Sequence, residues 1–205
     1  MDNKIKNLTD MLHNQFKNVL KWKALTLHFH TTKIADFCYL IDNTFKMEDD
    51  KYLLFKYQYS QTDILEPYEP FLSIIRDTVN QFNIDVKKLL DKSKVYPAQR
   101  ILFESYIKGE VPVRLDEIVT GEILYEITQL KKSIASLLVS LSKYRPLIIA
   151  LCELQFADFS TLDLIRSFSK SLKKGKILLI YGYNQNYYFA NPDQYETWNQ
   201  FITFA

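Results

Sequence analysis

The sequence predicts an α/β domain in which a mostly parallel sheet of four or five strands lies between layers of helices. A continuous apolar run at residues 146–151 and a second, largely apolar stretch at 176–183 are typical of strands that are buried on both faces of a parallel sheet. Predicted helices lie between successive predicted strands, which is the arrangement that right-handed crossovers require. A chain of 205 residues is long enough to form one such domain with a substantial core.

Helices and strands alternate in the N-terminal part of the chain. Apolar residues recur there at helical spacing in two separate stretches. The predicted elements are an amphipathic helix at residues 3–20, a strand at 24–30, a helix at 33–46 and a strand at 51–59. The next helix is expected to start at Pro67 or Pro70. The N–H group that proline lacks has no partner in the first turn of a helix, so proline is well tolerated there.

A helical insertion follows. Residues 85–143 read as helical throughout, with breaks near Pro97 and at residues 109–112. The remaining predicted elements are the two buried strands, a helix at 160–172 between them, a short strand at 187–190 and a final helix at 192–205. The helix between the strands starts with Ser160-Thr-Leu-Asp163, which has the form of a capping box with Asp in place of Glu or Gln, and Asp158 is a further candidate cap.

Composition excludes several kinds of partner. The formal net charge is only +2, and the four lysines within residues 170–176 are interpreted as a solvated helix end, so no nucleic-acid partner is expected. The N-terminus lacks a signal-peptide pattern and the longest apolar run is far too short to cross a bilayer, so no membrane partner is expected. Cys38 and Cys152 lie in apolar contexts and are expected to be buried free thiols in a reducing compartment. Together these features predict a cytoplasmic protein.

Residues 24–33 have the layout of a phosphate-binding loop, namely a strand, a turn that contains Lys33, and a helix. Ligands of parallel α/β sheets bind at the carboxyl ends of the strands. In this sequence those ends are predicted at residues 28–33, 57–60, 152–158 and 182–184. Any chemistry is therefore expected among these four segments.

The second half of the chain contains a series of short motifs in a fixed order. Arg145-Pro146 precedes a buried strand, Leu154-Gln155-Phe156-Ala157-Asp158 follows that strand, and Leu162 and Tyr183 lie in the next helix and strand. Earlier in the chain, EPYEPFLSIIRDTV at residues 66–79 is similar to the family's Pro-Tyr-x-Pro-Leu helix. In this order the segments resemble the AAA-like ATPase domains of the STAND class. In bacterial signalling proteins such domains often precede helical repeats and a cyclase, diguanylate cyclase or DNA-binding module.

The resemblance implies a three-layer, P-loop-NTPase-like fold that spans residues 1–205 as a single domain. It also implies a strand order in which the strand starting at Lys176 lies between those starting at Ala24 and Pro146. The final helix, residues 193–205, is expected to lead into a further domain. Trp198, Phe201 and Ile202 lie on one face of that helix and are the predicted interaction residues.

The predicted loop departs from the pattern of an active ATPase. With Lys33 at the position of the Walker lysine, the three glycine positions hold Leu27, His30 and Thr32. Glycines at those positions allow backbone N–H groups to approach the phosphates closely, and side chains occupy that space. The vestigial loop residues are His28, His30, Thr31, Thr32 and Lys33, with Asn184 at the position of the sensor arginine.

The groups that bind Mg²⁺ in the family are also replaced in this chain. Ile34 stands where a Ser or Thr would bind Mg²⁺, and Cys152 stands where the family has the first Walker B acid. Glu153 remains at the position of the water-activating acid, so the vestigial catalytic residues are Lys33, Glu153 and Asp158. Neither a cofactor nor a metal is expected.

Three interpretations of function remain open at this point. The leading one is a non-hydrolysing pseudo-ATPase that acts as a signalling scaffold in a larger regulatory protein, with the following domain or a separate protein as its partner. The second is a divergent NTPase. The third is a small-ligand-binding module, and its predicted strand-end crevice is lined by Tyr57, Tyr59, His28, His30, Tyr181 and Tyr183.

A zinc site is a further alternative. His28 and His30 share one face of a strand, and Cys152 and Glu153 follow another. The expected strand order places the sensor strand between the two pairs and separates them by roughly 10 Å. The sequence therefore disfavours this site.

Overall fold

The computed structural model describes residues 3–21, 24–31, 34–45, 50–61, 67–109, 123–172, 174–184, 186–189 and 192–204. Within these segments the chain forms eight α-helices and four strands. In chain order they are α1 (Asn3–Val19), β1 (Leu25–Thr31), α2 (Ile34–Thr44), β2 (Leu53–Gln58), α3 (Glu69–Gln81), α4 (Val86–Lys92), α5 (Arg100–Lys108), α6 (Ile123–Leu141), β3 (Leu147–Cys152), α7 (Phe159–Ser171), β4 (Ile177–Asn184) and α8 (Pro192–Phe204). Short 3-10 turns at Pro97–Gln99 and Leu154–Phe156 precede α5 and α7.

The four strands form one sheet in the order β1-β4-β3-β2, and every pairing within it is parallel. Leu25 of β1 lies opposite Leu178 of β4, and Leu147 of β3 lies opposite both Leu53 and Ile177. The position of β4 between β1 and β3 confirms the strand order expected from the sequence. All six residues of β3 are buried, as its continuous apolar run predicts.

Each face of the sheet has its own hydrophobic core. Successive side chains of a strand point to opposite faces, so Ile148 and Ala150 pack with the apolar stripes of α1 and α2. Ile149 and Leu151 pack instead with apolar side chains of the helices from α3 to α8. The sheet is thus the middle layer of an α/β domain. Among the described residues, no helix is both long enough and apolar enough to cross a membrane.

A close contact holds α2 against β4. A Cβ atom added at Gly182 would lie only 2.7 Å from Cγ of Phe37, and 2.8 and 2.9 Å from its two Cδ atoms. The Phe37 ring is itself buried and occupies the space that a side chain at residue 182 would need. The absence of a side chain at Gly182 therefore determines how closely α2 approaches the sheet.

The helical insertion has the predicted breaks. Helix α4 starts at its cap Asp85, whose carboxylate accepts a hydrogen bond from Lys88 N at 3.0 Å, and the 3-10 turn begins at Pro97. Helix α5 ends at Gly109, whose φ of +69° is favourable only for a residue without a Cβ. Residues 110–122, which include the rest of the predicted break, lie outside the described residues.

A buried hydrogen-bond network fastens the start of α5 to α6. Gln99 is buried, and its Nε2 donates to the carbonyl oxygen of Glu126 at 3.0 Å while its Oε1 accepts from Ser133 Oγ at 3.1 Å. Ser133 Oγ also accepts from Tyr96 N at 3.3 Å. Since these bonds satisfy both polar atoms of the Gln99 amide, the buried side chain stabilises this packing.

The predicted strand at residues 187–190 is wrong for the part that is described. Residues 187–189 are irregular, and Tyr187 N donates to the carbonyl oxygen of Asn184 at 3.3 Å. The Tyr187 ring packs edge-on against Phe156 and Phe189, at ring-centroid distances of 4.8 and 4.9 Å. The chain therefore turns back over the end of β4, and its aromatic residues pack on side chains instead of joining the sheet.

The predicted capping box of α7 is also wrong. The cap is Asp158, and its Oδ1 accepts from Thr161 N at 2.9 Å. The helix already starts at Phe159, before Ser160, and Asp163 forms an ion pair with Lys131 of α6. The alternative assignment of Asp158 as the cap is confirmed.

Candidate functional site

The carboxyl ends of the four parallel strands meet at one edge of the sheet, as the sequence predicts. Residues at this edge include Gln58, Cys152 and Asn184, which end β2, β3 and β4. Immediately after β3, Glu153 adopts a left-handed backbone with φ of 56°, and the short 3-10 turn follows. The turn carries the chain from the sheet edge to Asp158 and the start of α7.

Cys152 is a buried thiol in contact with a second thiol. It is 1% exposed, and its Sγ lies 3.2 Å from Sγ of Cys38, a half-buried residue of α2. Burial raises the pKa of Cys152 far above that of an ordinary thiol, and the hydrogen bond with Cys38 raises it further. Cys152 is therefore a neutral thiol at neutral pH.

Glu153 is held by the neighbouring strand. Its Oε2 accepts a hydrogen bond of 2.9 Å from Gln58 Nε2 at the end of β2. The left-handed φ of a glutamate is unusual and marks a strained turn at the sheet edge. The carboxylate therefore lies at the strand ends, as predicted, and its orientation is set by Gln58.

Asp158 combines a structural role with an unusual carboxyl group. One oxygen caps α7, while Oδ2 is buried and has no hydrogen-bond partner among the described residues. Burial raises the pKa of Asp158, and the hydrogen bonds from Thr161 oppose that rise. The hydroxyl group of Tyr59 is likewise buried without a described partner, and its pKa is raised first by burial and then by the nearby charge of Asp158. Asp158 and Tyr59 are thus two buried polar groups, and the charge of Asp158 acts on the pKa of Tyr59.

Asn184 has a structural partner in the loop after β3. Its backbone N–H donates to Oε1 of the buried Gln155 at 3.2 Å, and its own Oδ1 accepts from Asn186 N at 3.0 Å. These bonds connect the end of β4 to the 3-10 turn. In this arrangement the Asn184 side chain stabilises the turn that follows β4.

The predicted phosphate loop is only partly described. The backbone of β1 includes His28, His30 and Thr31, in register with β4. The positions of Thr32 and Lys33, and the side chains of the three earlier residues, lie outside the described residues. The prediction that this loop is vestigial therefore remains a prediction.

The zinc alternative gains no support from the topology. β4 separates β1 from β3, so the backbones that carry the two histidines and Cys152 are not adjacent. In the described part of the chain, no group of three or more His, Cys, Asp or Glu side chains is arranged to hold a metal ion.

Three of the six residues that the sequence places in a strand-end crevice lie in the core instead, while the side chains of His28 and His30 are outside the described residues. Tyr59, Tyr181 and Tyr183 are all buried in the hydrophobic core. Trp198 of α8 packs against Tyr183 with a ring-centroid distance of 4.9 Å, and Phe201 lies 5.8 Å from Tyr181. Because α8 covers this part of β4, the tyrosine rings are internal.

A cavity of about 380 Å³ lies nearby at the same edge of the sheet. It is bounded by the segment after β2, by the loop between β3 and α7, and by the first turns of α8. Its lining consists of Ser60, Gln61, Gln155, Phe156, Ala157, Asp158, Phe159, Leu162, Asp193, Gln194, Thr197 and Trp198. None of these described lining residues belongs to β1 or α2. Asp158 and Trp198 are the predicted site residues in this lining, and Gln155, Phe156, Ala157 and Leu162 belong to the motifs of the resemblance. The residues after β2 and at the start of α8 carry no motif and come to the cavity only through folding.

Two of the three predicted interaction residues of α8 are buried, and one is exposed. Trp198 and Phe201 are buried against β4, at 5% and 1% exposure, whereas Ile202 is 39% exposed. A surface made of all three residues is therefore not available in the structure, because two of them complete the domain's own core.

No family model matches the sequence, and no curated protein matches it.

Proposed function

We propose that this chain is a non-hydrolysing, P-loop-ATPase-like module that acts through protein contacts in a cytoplasmic signalling protein. The observation that carries the proposal is the state of Cys152. At the position that the resemblance assigns to the first Walker B acid, the chain has a buried, neutral thiol whose neighbour is a second thiol. Mg²⁺ prefers hard oxygen ligands, so this position offers nothing to a nucleotide-bound metal.

The strand order supports the fold that the proposal requires. In β1-β4-β3-β2, the strand before the predicted loop and the strand before Glu153 flank β4, as expected for AAA-like domains. The hydrogen bond from Gln58 to Glu153 supports a structural role for the remaining acid. The absence of the loop glycines from the sequence supports the same conclusion, since strained dihedrals at non-glycine residues cost roughly 1–2 kcal/mol each.

Calorimetry with ATP and Mg²⁺ tests the nucleotide part of the proposal. We expect a dissociation constant in the millimolar range or weaker, and no ATP turnover above the buffer rate. Lys33→Ala is the matched variant, and it should change neither the heat of titration nor the melting temperature. A dissociation constant below about 10 μM that weakens in the variant contradicts the proposal.

The scaffold part is tested by the nucleotide dependence of complex formation. The chain is cross-linked in cell extract with and without added ATP and Mg²⁺, and the yield of each cross-linked complex is compared. We expect the same yield in both conditions and in Lys33→Ala. A complex that forms only with ATP and Mg²⁺ instead favours the divergent-NTPase interpretation.

The cavity favours a second candidate function, the binding of a small cationic molecule. Its lining includes the acids Asp158 and Asp193 and the aromatic rings of Phe156, Phe159 and Trp198. No Lys, Arg or His is among the described residues of the lining. Acids together with aromatic faces are a suitable environment for an amine or quaternary ammonium group. The volume, about 380 Å³, is within the range of small-molecule sites.

Thermal shift with putrescine, spermidine and choline tests the second candidate. Thr197→Phe fills the cavity from α8, and Thr203→Phe is the matched control on an exposed position of the same helix. We expect a shift in the wild type and in the control that is lost in Thr197→Phe. An equal shift in all three proteins contradicts specific binding in the cavity.

A further inference from the structure

Cys38 and Cys152 are 114 positions apart in the sequence, yet their sulfur atoms are in contact. Sγ of Cys38 on α2 lies 3.2 Å from Sγ of Cys152 at the end of β3, and both thiols are free. A disulfide requires the two sulfur atoms to approach to about 2.0 Å. The sulfur atoms therefore need to move closer by only roughly 1.2 Å, a distance comparable to ordinary side-chain adjustment.

The surrounding structure fixes the backbones that carry the two thiols. Cys152 belongs to a fully buried central strand, and Phe37, next to Cys38, is packed directly onto Gly182. Asp42, one turn after Cys38, accepts an ion-pair hydrogen bond of 2.5 Å from Lys56 of β2. Helix α2 is thus attached to the sheet on both sides of Cys38.

The two thiols differ in their access to solvent. Cys38 is half-buried, so a small oxidant is able to reach it, whereas Cys152 is 1% exposed. Of the charged groups that the structure describes near Cys152, Lys56 lowers its pKa and Glu153 raises it. Oxidation is therefore expected to begin at Cys38, with Cys152 as the partner that captures the oxidised sulfur.

We propose that Cys38 and Cys152 are a peroxide-sensitive modification site that forms a reversible intramolecular disulfide between α2 and β3. The thiolate of Cys38 attacks one oxygen of hydrogen peroxide, the O–O bond breaks, and hydroxide leaves, which produces a sulfenic acid. Sγ of Cys152 then attacks the sulfenic sulfur, the S–O bond breaks, and water leaves as Cys152 gives up its proton. In total, two thiols lose two electrons and two protons to the peroxide, and two water molecules form.

The disulfide would change the stability of the domain. It closes a loop of more than a hundred residues, and cross-links of such loops remove much of the freedom of the unfolded chain. The oxidised protein should accordingly melt at a higher temperature than the reduced protein, by roughly 5–10 °C. This inference does not depend on the proposed function, because it follows from the contact between the sulfur atoms alone.

The experiment uses the whole chain in reduced form, treated with hydrogen peroxide from equimolar to tenfold excess and then quenched with catalase. Remaining thiols are alkylated under denaturing conditions, and the protein is analysed by mass spectrometry and thermal melting. We expect a monomer that has lost two hydrogen atoms, takes up no alkylating reagent, contains a cross-linked Cys38–Cys152 peptide and melts at a higher temperature. Dithiothreitol should reverse all of these changes.

Cys38→Ser is the control variant. It removes the accessible thiol, so we expect Cys152 to stay reduced and the melting temperature to be insensitive to peroxide. Three results for the wild type would overturn the proposal: both thiols remain alkylatable at tenfold peroxide, oxygen atoms are added without a cross-link, or the cross-link joins two chains. Loss of the Cys152 thiol in the variant at the wild-type rate would refute the assignment of Cys38 as the first site.

Discussion

Gly182→Ala tests whether the Phe37 ring of α2 leaves room for a side chain at residue 182 of β4. The added Cβ would lie 2.7–2.9 Å from three ring atoms of Phe37, although carbon atoms prefer separations of about 3.5–4.0 Å. The ring must therefore retreat by roughly 0.7–1.0 Å. It is buried among Phe29 and the apolar residues of α1 and α2, so its retreat displaces side chains that are packed against it.

Overpacking of a well-packed core costs typically 1–3 kcal/mol, and a displacement of this size belongs in the upper half of that range. Replacing a strand glycine by alanine returns roughly 0.5–1 kcal/mol through lower chain entropy in the unfolded state. The expected net loss in the free energy of unfolding is therefore about 1–2 kcal/mol.

Urea unfolding of a double-mutant cycle measures this effect. The four proteins are the wild type, Gly182→Ala, Phe37→Leu and the double variant. Because leucine leaves room for the new methyl group, the double variant should be more stable than the sum of the two single losses predicts, by about 1 kcal/mol. A Gly182→Ala variant within about 0.3 kcal/mol of the wild type, or additive losses, would refute the reasoning.

Three further predictions concern polar groups. Asp158→Ala removes the cap of α7 and should lower the free energy of unfolding by about 1 kcal/mol. Asp158→Asn keeps a capping oxygen, so its free energy of unfolding should fall by less. Chemical denaturation at neutral pH measures both changes. Burial raises the pKa of Asp158, so above about pH 4 the native state binds more protons than the unfolded state. The wild type should therefore lose stability relative to Asp158→Asn as the pH rises from about 4 through the folded-state pKa. Denaturation of both proteins over this pH window measures the difference. Ser133→Ala removes the hydroxyl group that bonds to Tyr96 N and Gln99 Oε1 in a buried region, so it should lower the free energy of unfolding by about 1–3 kcal/mol. Ser171→Ala, on an exposed position of α7, is the control and should change this free energy little.

Much of the fold could be predicted because the relevant signals are local and periodic. The apolar runs of β3 and β4 are long enough to identify buried strands, and Pro97 and Gly109 impose backbone limits wherever they occur. The order of the strands could also be predicted, through the ordered set of motifs.

The site was harder to predict because it depends on which distant element covers each face. Tyr181 and Tyr183 lie near the carboxyl end of a strand, where a ligand crevice is common, but α8 returns to bury them. The contact between Cys38 and Cys152 was missed for the same reason, since apolar context predicts burial of each thiol without indicating its neighbour. The sequence offers two overlapping caps for α7, and the structure uses Asp158. Asp163 of the other signal forms an ion pair with α6, a contact that no local pattern reveals.

The edge position of β1 affects how the domain is made during synthesis. Among the described strands it pairs with β4 alone, and Leu25 pairs with Leu178, about 150 residues later in the chain. At a synthesis rate of roughly 5–20 residues per second, β1 and the apolar face of α2 leave the ribosome on the order of ten seconds before the strand they need. During that interval the nascent N-terminal segment exposes unpaired backbone and apolar surface, so this part of the chain is where a chaperone would be expected to bind first.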